Sequence, residues 1–557
     1  MGCHGVTSCF ARISWPRKGG TLPLAARVAS CCAVLGMLSG FCMGAAPTLP
    51  RPPCARFLYF WRHMGPILFR YWLAGKRRGE GREEAEERLK QMHKIYAPKV
   101  RHLFGELRGI WMKVAQELSV VPFLIPEEYQ RELRKLQDSA PAARWGDVCQ
   151  VLEADLGAPP ERLFDQVETE PLGAASLGQV HLATWNNRRV VVKVQYLDSK
   201  TNLQADYDNL QALVRLITPS ELPMIRRLRQ QSEREVDYAQ EAQHLRTLHE
   251  AIASSPEFGD RVVVPAPVEE LTRDRVLGME YLPGPRLDDL LRERLNALGV
   301  DPGQSPVQTV TDSLTSEGSS KHTCEDTADS EVPSLRRCVS SAALRVLQAL
   351  LGPDRLLTIL RASAEVRLRC RRRAGAGAST HQLRNALKTL LEVHGFQIFC
   401  CPLFNADPHP GNILALPDGR VGLIDMGQCT SFDPAAKVNF ARLVLLLARP
   451  ASPEVDARIV ETMLNLGVQT EKSDREYLAF LPRLAFCKLR GEWLKDDKLK
   501  DMVKKDRIVE QPLALLMAFR VASLLRGFGM ALLENVSIVE AWQPWAERCL
   551  SKSGESL

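Results

Sequence analysis

The sequence predicts an α+β chain in two lobes, with a helical extension ahead of the first and helices making up most of the second. Three observations carry this. Two short β-rich runs, "AASLGQVHLATW" and "NNRRVVVKVQYL", meet at Asn186-Asn187-Arg188, a hairpin signal. Helix-periodic stretches flank them, roughly 80–158 and 202–252. A second short apolar hairpin lies inside "PLFNADPHPGNILALPDGRVGLIDMG", residues 402–427, with Asp407, Asn412 and Asp425 at its edges.

A chain of 557 residues, 45% hydrophobic and 25% charged, has the composition of a folded protein with room for more than one domain. The formal charge of +7 is unevenly spread. No Asp or Glu occurs before Glu80, whereas eleven Lys and Arg do. The basic excess therefore belongs to the N-terminal segment and is not read as a nucleic-acid surface. Such a basic, acid-free leader, 1–79, resembles an organelle transit peptide. Within it, residues 28–46 are uncharged over about the length of a membrane span. Whether they are a retained anchor is left open. Residues 54–78 interleave aromatics with Arg, as an interfacial amphipathic helix would. The opening "MGCHGV" has Val6 where a myristoylation signal needs Ser or Thr.

Six of the fifteen Cys precede residue 55, and no C-x-x-C occurs. Neither a zinc site nor a disulfide framework is expected, and Cys400-Cys401 reads as core.

In chain order, 80–160 forms a helical extension, with "ARWGDVCQVLEADLG" stopping on its Gly. Residues 161–284 form a smaller lobe, ending with the strand "RVLGMEYLPG" and its Pro-Gly turn. Residues 285–550 form a helical lobe with an insert at about 302–378. The insert is rich in Ser, Thr and acids at first, then basic and Gly/Ala-rich, a composition that predicts disorder. It costs the fold little, because closure entropy grows slowly with loop length. No internal repeat is present.

Four pieces point to chemistry. Lys193 is centred in the valine strand "VVVKV"; a buried ammonium needs an anionic partner. The helical "EREVDYAQEAQHL" carries Asp237 and Glu241 four apart, on one face. In "NADPHPGN", Asp407 is placed to orient or deprotonate a nucleophile, and Asn412 offers an amide oxygen to a cation. Asp425 ends a strand before a Gly, and a hard cation bridging phosphates wants such oxygen ligands. Asp407, Asn412 and Asp425 stand at the spacing with which protein kinases hold magnesium, although His-Arg-Asp and a glycine-rich loop are both missing.

The set resembles the UbiB/aarF-type (ADCK) atypical kinase family from about residue 95 to at least 450. "GAASLGQVH" is similar to that family's alanine-rich loop, which stands in for the glycine-rich one. "ExDYxxEA", at Glu235, Asp237 and Glu241, is similar to its helix signature. "NADPHPGN" is similar to its catalytic loop, and "RGIWMKVAQELS" to its K-x-G-Q motif. Three positions depart. Ala115 replaces Gly of K-x-G-Q, Met426 replaces Phe of D-F-G, and Asn405 replaces His. None removes a metal ligand or the strand Lys.

The resemblance implies a bilobal protein kinase-like fold with a helical C-lobe, binding ATP and Mg²⁺. It implies that Lys193 contacts the phosphates and pairs with Glu241. Ala174, Ala175 and Ser176 would cover the phosphates, and Glu280, Tyr281 and Leu282 would meet the adenine. Asp407 would be the catalytic carboxylate, with Asn412 and Asp425 as metal ligands. Lys113 and Gln116 would reach in from the extension toward Glu235 and Asp237. Members of the family act in organelles and bacteria, several in ubiquinone or related prenyl-lipid metabolism. The expectation is thus an organellar, membrane-associated kinase or ATPase, mitochondrial before plastidic, with a membrane lipid, quinone precursor or membrane biosynthetic complex as partner. Its rivals are a catalytically silent nucleotide-binding scaffold and a Ser/Thr protein kinase. The acceptor and the oligomeric state are not written in the sequence.

Overall fold

The computed structural model describes residues 53–75, 82–112, 114–115, 125–136, 142–174, 177–197, 199–217, 236–297, 378–489, 508–532 and 534–554, with a few isolated positions besides. Residues 28–46 and 302–377 lie outside the described residues. The chain divides into two compact units. One is Met1–Ala239 with Val268–Met279; the other is Gln240–Pro267 with Glu280–Leu557.

The first unit holds helices α1 (Pro53–Gly75), α2 (Arg82–Leu107), α3 (Glu127–Arg134), α4 (Trp145–Leu156) and α5 (Ser199–Ile217). Its strands are β1 (Gln166–Val167), β2 (Gly173–Ala174), β3 (Gly178–Trp185), β4 (Arg188–Gln195), β5 (Pro267–Val268) and β6 (Val276–Glu280). They form one sheet in the order β1-β3-β4-β6-β5, with β2 paired to β3. The β3–β4 hairpin turns where the sequence indicated, at Asn186 and Asn187, both with positive φ (49° and 60°). Two such residues give the twist that antiparallel strands need. Gly178 opens β3 because nothing larger fits: a β-carbon there would lie 2.6 Å from the Val194 carbonyl oxygen. Helix α4 covers the sheet with Val148, Val151 and Leu152 against Val190, Val192 and Val194. It ends on Gly157, φ +82°, whose N–H donates to the Glu153 carbonyl, the left-handed stop its sequence predicts.

The helices form a second core. Phe60, Trp61, Met64 and Ile67 of α1 pack with Leu103 and Phe104 of α2, Trp111, and Leu203, Tyr207 and Leu210 of α5. Phe60 stacks on Trp111 with ring centroids 4.5 Å apart. Arg56 is buried among them. Its Nε and Nη2 donate to the Asp206 carboxylate at 3.1 and 2.5 Å, and Nη2 also donates to the Leu107 carbonyl at 2.7 Å. Burial pushes the Asp206 carboxyl up from its ordinary range, and the Arg56 guanidinium offsets part of that. Farther along α1, the Tyr71 hydroxyl bridges His93 Nδ1 at 2.6 Å and the Tyr129 hydroxyl at 3.2 Å. Over its described residues, Pro53–Gly75, the interfacial helix expected at 54–78 is therefore a packed helix of this unit. Its aromatic face meets protein, and the arginine on that face is neutralised rather than left to reach for water.

The second unit is mostly helical: α6 (Tyr238–Ala253), whose first two residues belong to the first unit, α7 (Leu287–Ala297), α8 (Ala378–Cys400), α9 (Pro434–Ala448), α10 (Pro453–Asn465), α11 (Arg475–Phe486), α12 (Leu513–Ala531) and α13 (Ile538–Ser553). Helix α6 starts at Tyr238, so Asp237 precedes it, exposed, and does not share a helix face with Glu241. Four short strands carry the loops of interest: β7 (Phe404–Asn405), β8 (Ile413–Ala415), β9 (Val421–Leu423) and β10 (Cys429–Thr430). Rings from these elements pack face to face. Phe404 stacks on Phe432 at 5.8 Å, Phe432 on Phe440 at 5.0 Å, and Phe440 on Phe399 at 5.5 Å. Helix α12 is long and apolar enough to cross a membrane, yet 72% of its span window is buried inside the structure. Within it Arg526 is fully buried and donates to the Leu484 and Cys487 carbonyls at the end of α11. It reads as a core helix. Cys401 is buried, its thiol pushed up to about 12 chiefly by desolvation.

Candidate active site

Two pairs of short strands assemble the polar loops of the second unit. The β8–β9 hairpin places Asn412 beside the approach to Asp425: Ile424 N donates to the Asn412 carbonyl at 3.1 Å. Strands β7 and β10 pair antiparallel, Asn405 opposite Cys429. That lays the entry to Asp407 alongside the exit from Asp425.

Asn405 joins the two. It is 3% exposed. Its Oδ1 accepts from Asp407 N at 2.8 Å, and its Nδ2 donates to the Asp425 carbonyl at 3.0 Å. Its own N–H donates to Gln397 Oε1 of α8 at 3.0 Å. One neutral amide can accept and donate at once, so it sets the spacing of both carboxylate-bearing segments. Downstream, His409 N donates to the Asp407 carbonyl at 2.7 Å, and His409 Nδ1 accepts from Gly411 N at 3.0 Å. These bonds shape the turn that delivers Asn412.

Asp425 Oδ1 accepts from Gly427 N at 2.9 Å. A β-carbon on Gly427 would sit 3.2 Å from that oxygen and 3.6 Å from Glu241 Oε2. Glu241, 2% exposed, thus brings its carboxylate into this corner. His244 Nδ1, on the same helix, lies 3.1 Å from the Met426 carbonyl and ties α6 to the turn. Met426 is fully buried, which an apolar side chain of its length suits. Cys429 registers both acids: burial, then Asp425, then Glu241 push its thiol well up. It stays protonated and unreactive near neutrality. Asp407 faces a cation from α12, with Arg520 Nη2 3.1 Å from its Oδ1.

Near the end of β6, Glu280 is exposed, and its Oε2 accepts from Ala266 N at 3.0 Å. Leu282 lies against Gly422 of β9. In the first unit, Lys193 is half-buried on β4 opposite Val180, its Nζ 5.0 Å from the centre of the Tyr238 ring. Ala174 sits on β2 opposite Gln179. Lys113, Gln116, Ala175, Ser176 and Glu235 lie outside the described residues.

Among the described residues no three His, Cys, Asp or Glu side chains form a metal cage. Asp425 and Asn412 supply a carboxylate and an amide oxygen. That donor set suits Mg²⁺, which keeps most of its shell for phosphates and water. Arg520 and the bridging role of Asn405 were missed in the sequence. A signal for Arg520 existed: an arginine inside the apolar run "LLMAFRVASLL" calls for a partner.

Comparison with known proteins adds relatives. A model of the ABC1 atypical kinase-like domain matches residues 135–304 and 371–457. The chloroplastic protein Activity of BC1 complex kinase 8 of Arabidopsis thaliana is 28% identical over 540 residues, 88% of this chain and 59% of its own. AarF domain-containing protein kinase 1 of Xenopus tropicalis is 34% identical over 227 residues, 40% of this chain and 43% of its own. The chain thus spans about half the length of the curated relatives it matches. Among solved structures, the complex of Rv3197 with erythromycin from Mycobacterium tuberculosis matches at 22% identity and TM-score 0.43, over 84% of this chain and 97% of that one.

Proposed function

Because the chain belongs to the ABC1 (UbiB/aarF-type) atypical kinase-like family, with a kinase-like fold, we propose that it is an ATP- and Mg²⁺-dependent atypical kinase or ATPase acting on organellar prenyl lipids or their quinone precursors. The observation that carries the reading is the Asn405 bridge, which holds the Asp407 and Asp425 segments in register beside the buried Glu241.

Mg²⁺, when bound, would neutralise phosphate charge. Asp425 and Asn412 are the residues that would hold it. Lys193 would neutralise the α- and β-phosphates, and Glu280 and Leu282 would receive the adenine. Asp407 would orient the attacking hydroxyl or water. The nucleophile's oxygen bonds to the γ-phosphorus, the bond from that phosphorus to the ADP oxygen breaks, and the nucleophile's proton passes to Asp407 or to solvent. The extension residues Lys113 and Gln116, with Glu235 and Asp237, would guard access to the nucleotide. An organellar setting, mitochondrial or plastidic, suits the basic leader and the chloroplastic name of one relative.

The test is ATP turnover by the full chain with Mg²⁺, with and without vesicles containing a prenyl quinone, beside Asp425→Asn. Vesicle-stimulated phosphate release that the substitution abolishes supports the enzyme. Nucleotide binding without release above the variant's level replaces it with a scaffold.

A further inference from the structure

We propose that Arg520 of α12 is the positioning residue for Asp407, so that the site extends beyond the matched kinase-like domain into a helix following it. The inference rests on the reading of Asp407 as the catalytic carboxylate. Its ground is independent: Arg520 Nη2 lies 3.1 Å from Asp407 Oδ1, with the two side chains 24% and 19% exposed.

Several features make this more than a surface pair. The loop from Asp407 to Asn412 reads D-P-H-P-G-N and brings no lysine or arginine of its own. The backbone around Asp407 is held from one side by Asn405 and from the other by His409 N. Those contacts set the main chain, and a guanidinium acts on the carboxylate itself. A charge-assisted hydrogen bond from Arg520 to Oδ1 favours one orientation of that carboxylate. Arg520 comes from a rigid place. Its neighbours Ala518, Phe519, Val521 and Ala522 are buried, and Phe519 packs on Phe486 at 4.7 Å. A long side chain rooted in a packed helix holds its end better than one on a loop. The matched domain ends at residue 457, so α12 lies outside it.

The experiment compares full chains carrying Arg520→Met, Arg520→Lys, Asp407→Asn and the double change Arg520→Met with Asp407→Asn. It reads kcat, KM for ATP and melting temperature, with and without added guanidinium. The expected result is a kcat about 10- to 100-fold lower for Arg520→Met, with KM for ATP within about twofold because Arg520 acts through Asp407. Guanidinium recovers part of that loss, Arg520→Lys falls between, and the double variant is no slower than Asp407→Asn alone. Wild-type kcat in Arg520→Met overturns the proposal while leaving Asp407 its role. So does a loss that persists undiminished in the Asp407→Asn background, or one that follows the melting temperature and ignores guanidinium. Full turnover in Asp407→Asn, or none in the wild type, removes the catalytic reading of Asp407 and the proposal with it.

Discussion

Removing α1 should unfold the helical core of the first unit, although its sequence looks like dispensable leader. Phe60, Trp61, Met64 and Ile67 are each at most 6% exposed. Burying a large apolar side chain stabilises by about 1.5–3 kcal/mol, so the four together contribute about 6–12 kcal/mol. That is comparable with the whole stability of a typical domain, about 5–15 kcal/mol. Truncation also strands Asp206, which is 1% exposed and loses its Arg56 partner; breaking a buried pair from one side costs about 3–5 kcal/mol. The assay compares chains starting at residues 47 and 80 by near-ultraviolet circular dichroism and thermal unfolding. The shorter chain should lose the aromatic signal to which Phe60 and Trp111 contribute, and its first transition. Within the full chain, Arg56→Met should lower the melting temperature by several degrees, and Arg56→Met with Asp206→Leu should recover most of the loss. A chain starting at residue 80 that melts like the longer one, with the same aromatic signal, would refute the reasoning.

Three further outcomes are expected. Asn405→Ala breaks both arms of the bridge and should cut turnover about 10- to 100-fold, since small misplacements of reacting groups cost that much; an unchanged kcat would show that the strands alone hold the register. Gly178→Ala puts a β-carbon 2.6 Å from the Val194 oxygen and 2.8 Å from the Tyr238 hydroxyl, and should destabilise by about 1–3 kcal/mol as an overpacked site does, read as a lower midpoint in urea. His394 is fully buried, and desolvation lowers its imidazole from 6.5 to about 4. A base whose folded value is depressed gives stability that is complete above the unfolded value and is lost as pH falls from about 6.5 to about 4. The loss should be about 3 kcal/mol. In His394→Phe that dependence should flatten, and an unchanged slope would assign it to other groups.

Much of this protein is legible locally. Asn186-Asn187 must take positive φ, so the hairpin announces itself. Gly157 ends α4 because a left-handed cap favours a residue without a β-carbon. The order and spacing of Lys193, Glu241, Asp407, Asn412 and Asp425 are properties of the chain, and from them the kinase-like character could be argued before any coordinates. What these residues touch could not. An interfacial helix and a buried one share the same aromatic-and-arginine pattern, and only distant partners, such as Trp111 and, 150 residues away, Asp206, decide that α1 faces protein. Asn405 looked like a lost histidine until the β7–β10 pairing set Asp407 and Asp425 on its two sides. Arg520 lies in an apolar helix whose neighbours give no hint of the Asp407 loop it meets. Sequence carries backbone conformation and residue chemistry because both act over a few residues. Burial and charge pairing depend on which distant segments the folded chain brings within a few ångströms, and that the tertiary structure alone decided.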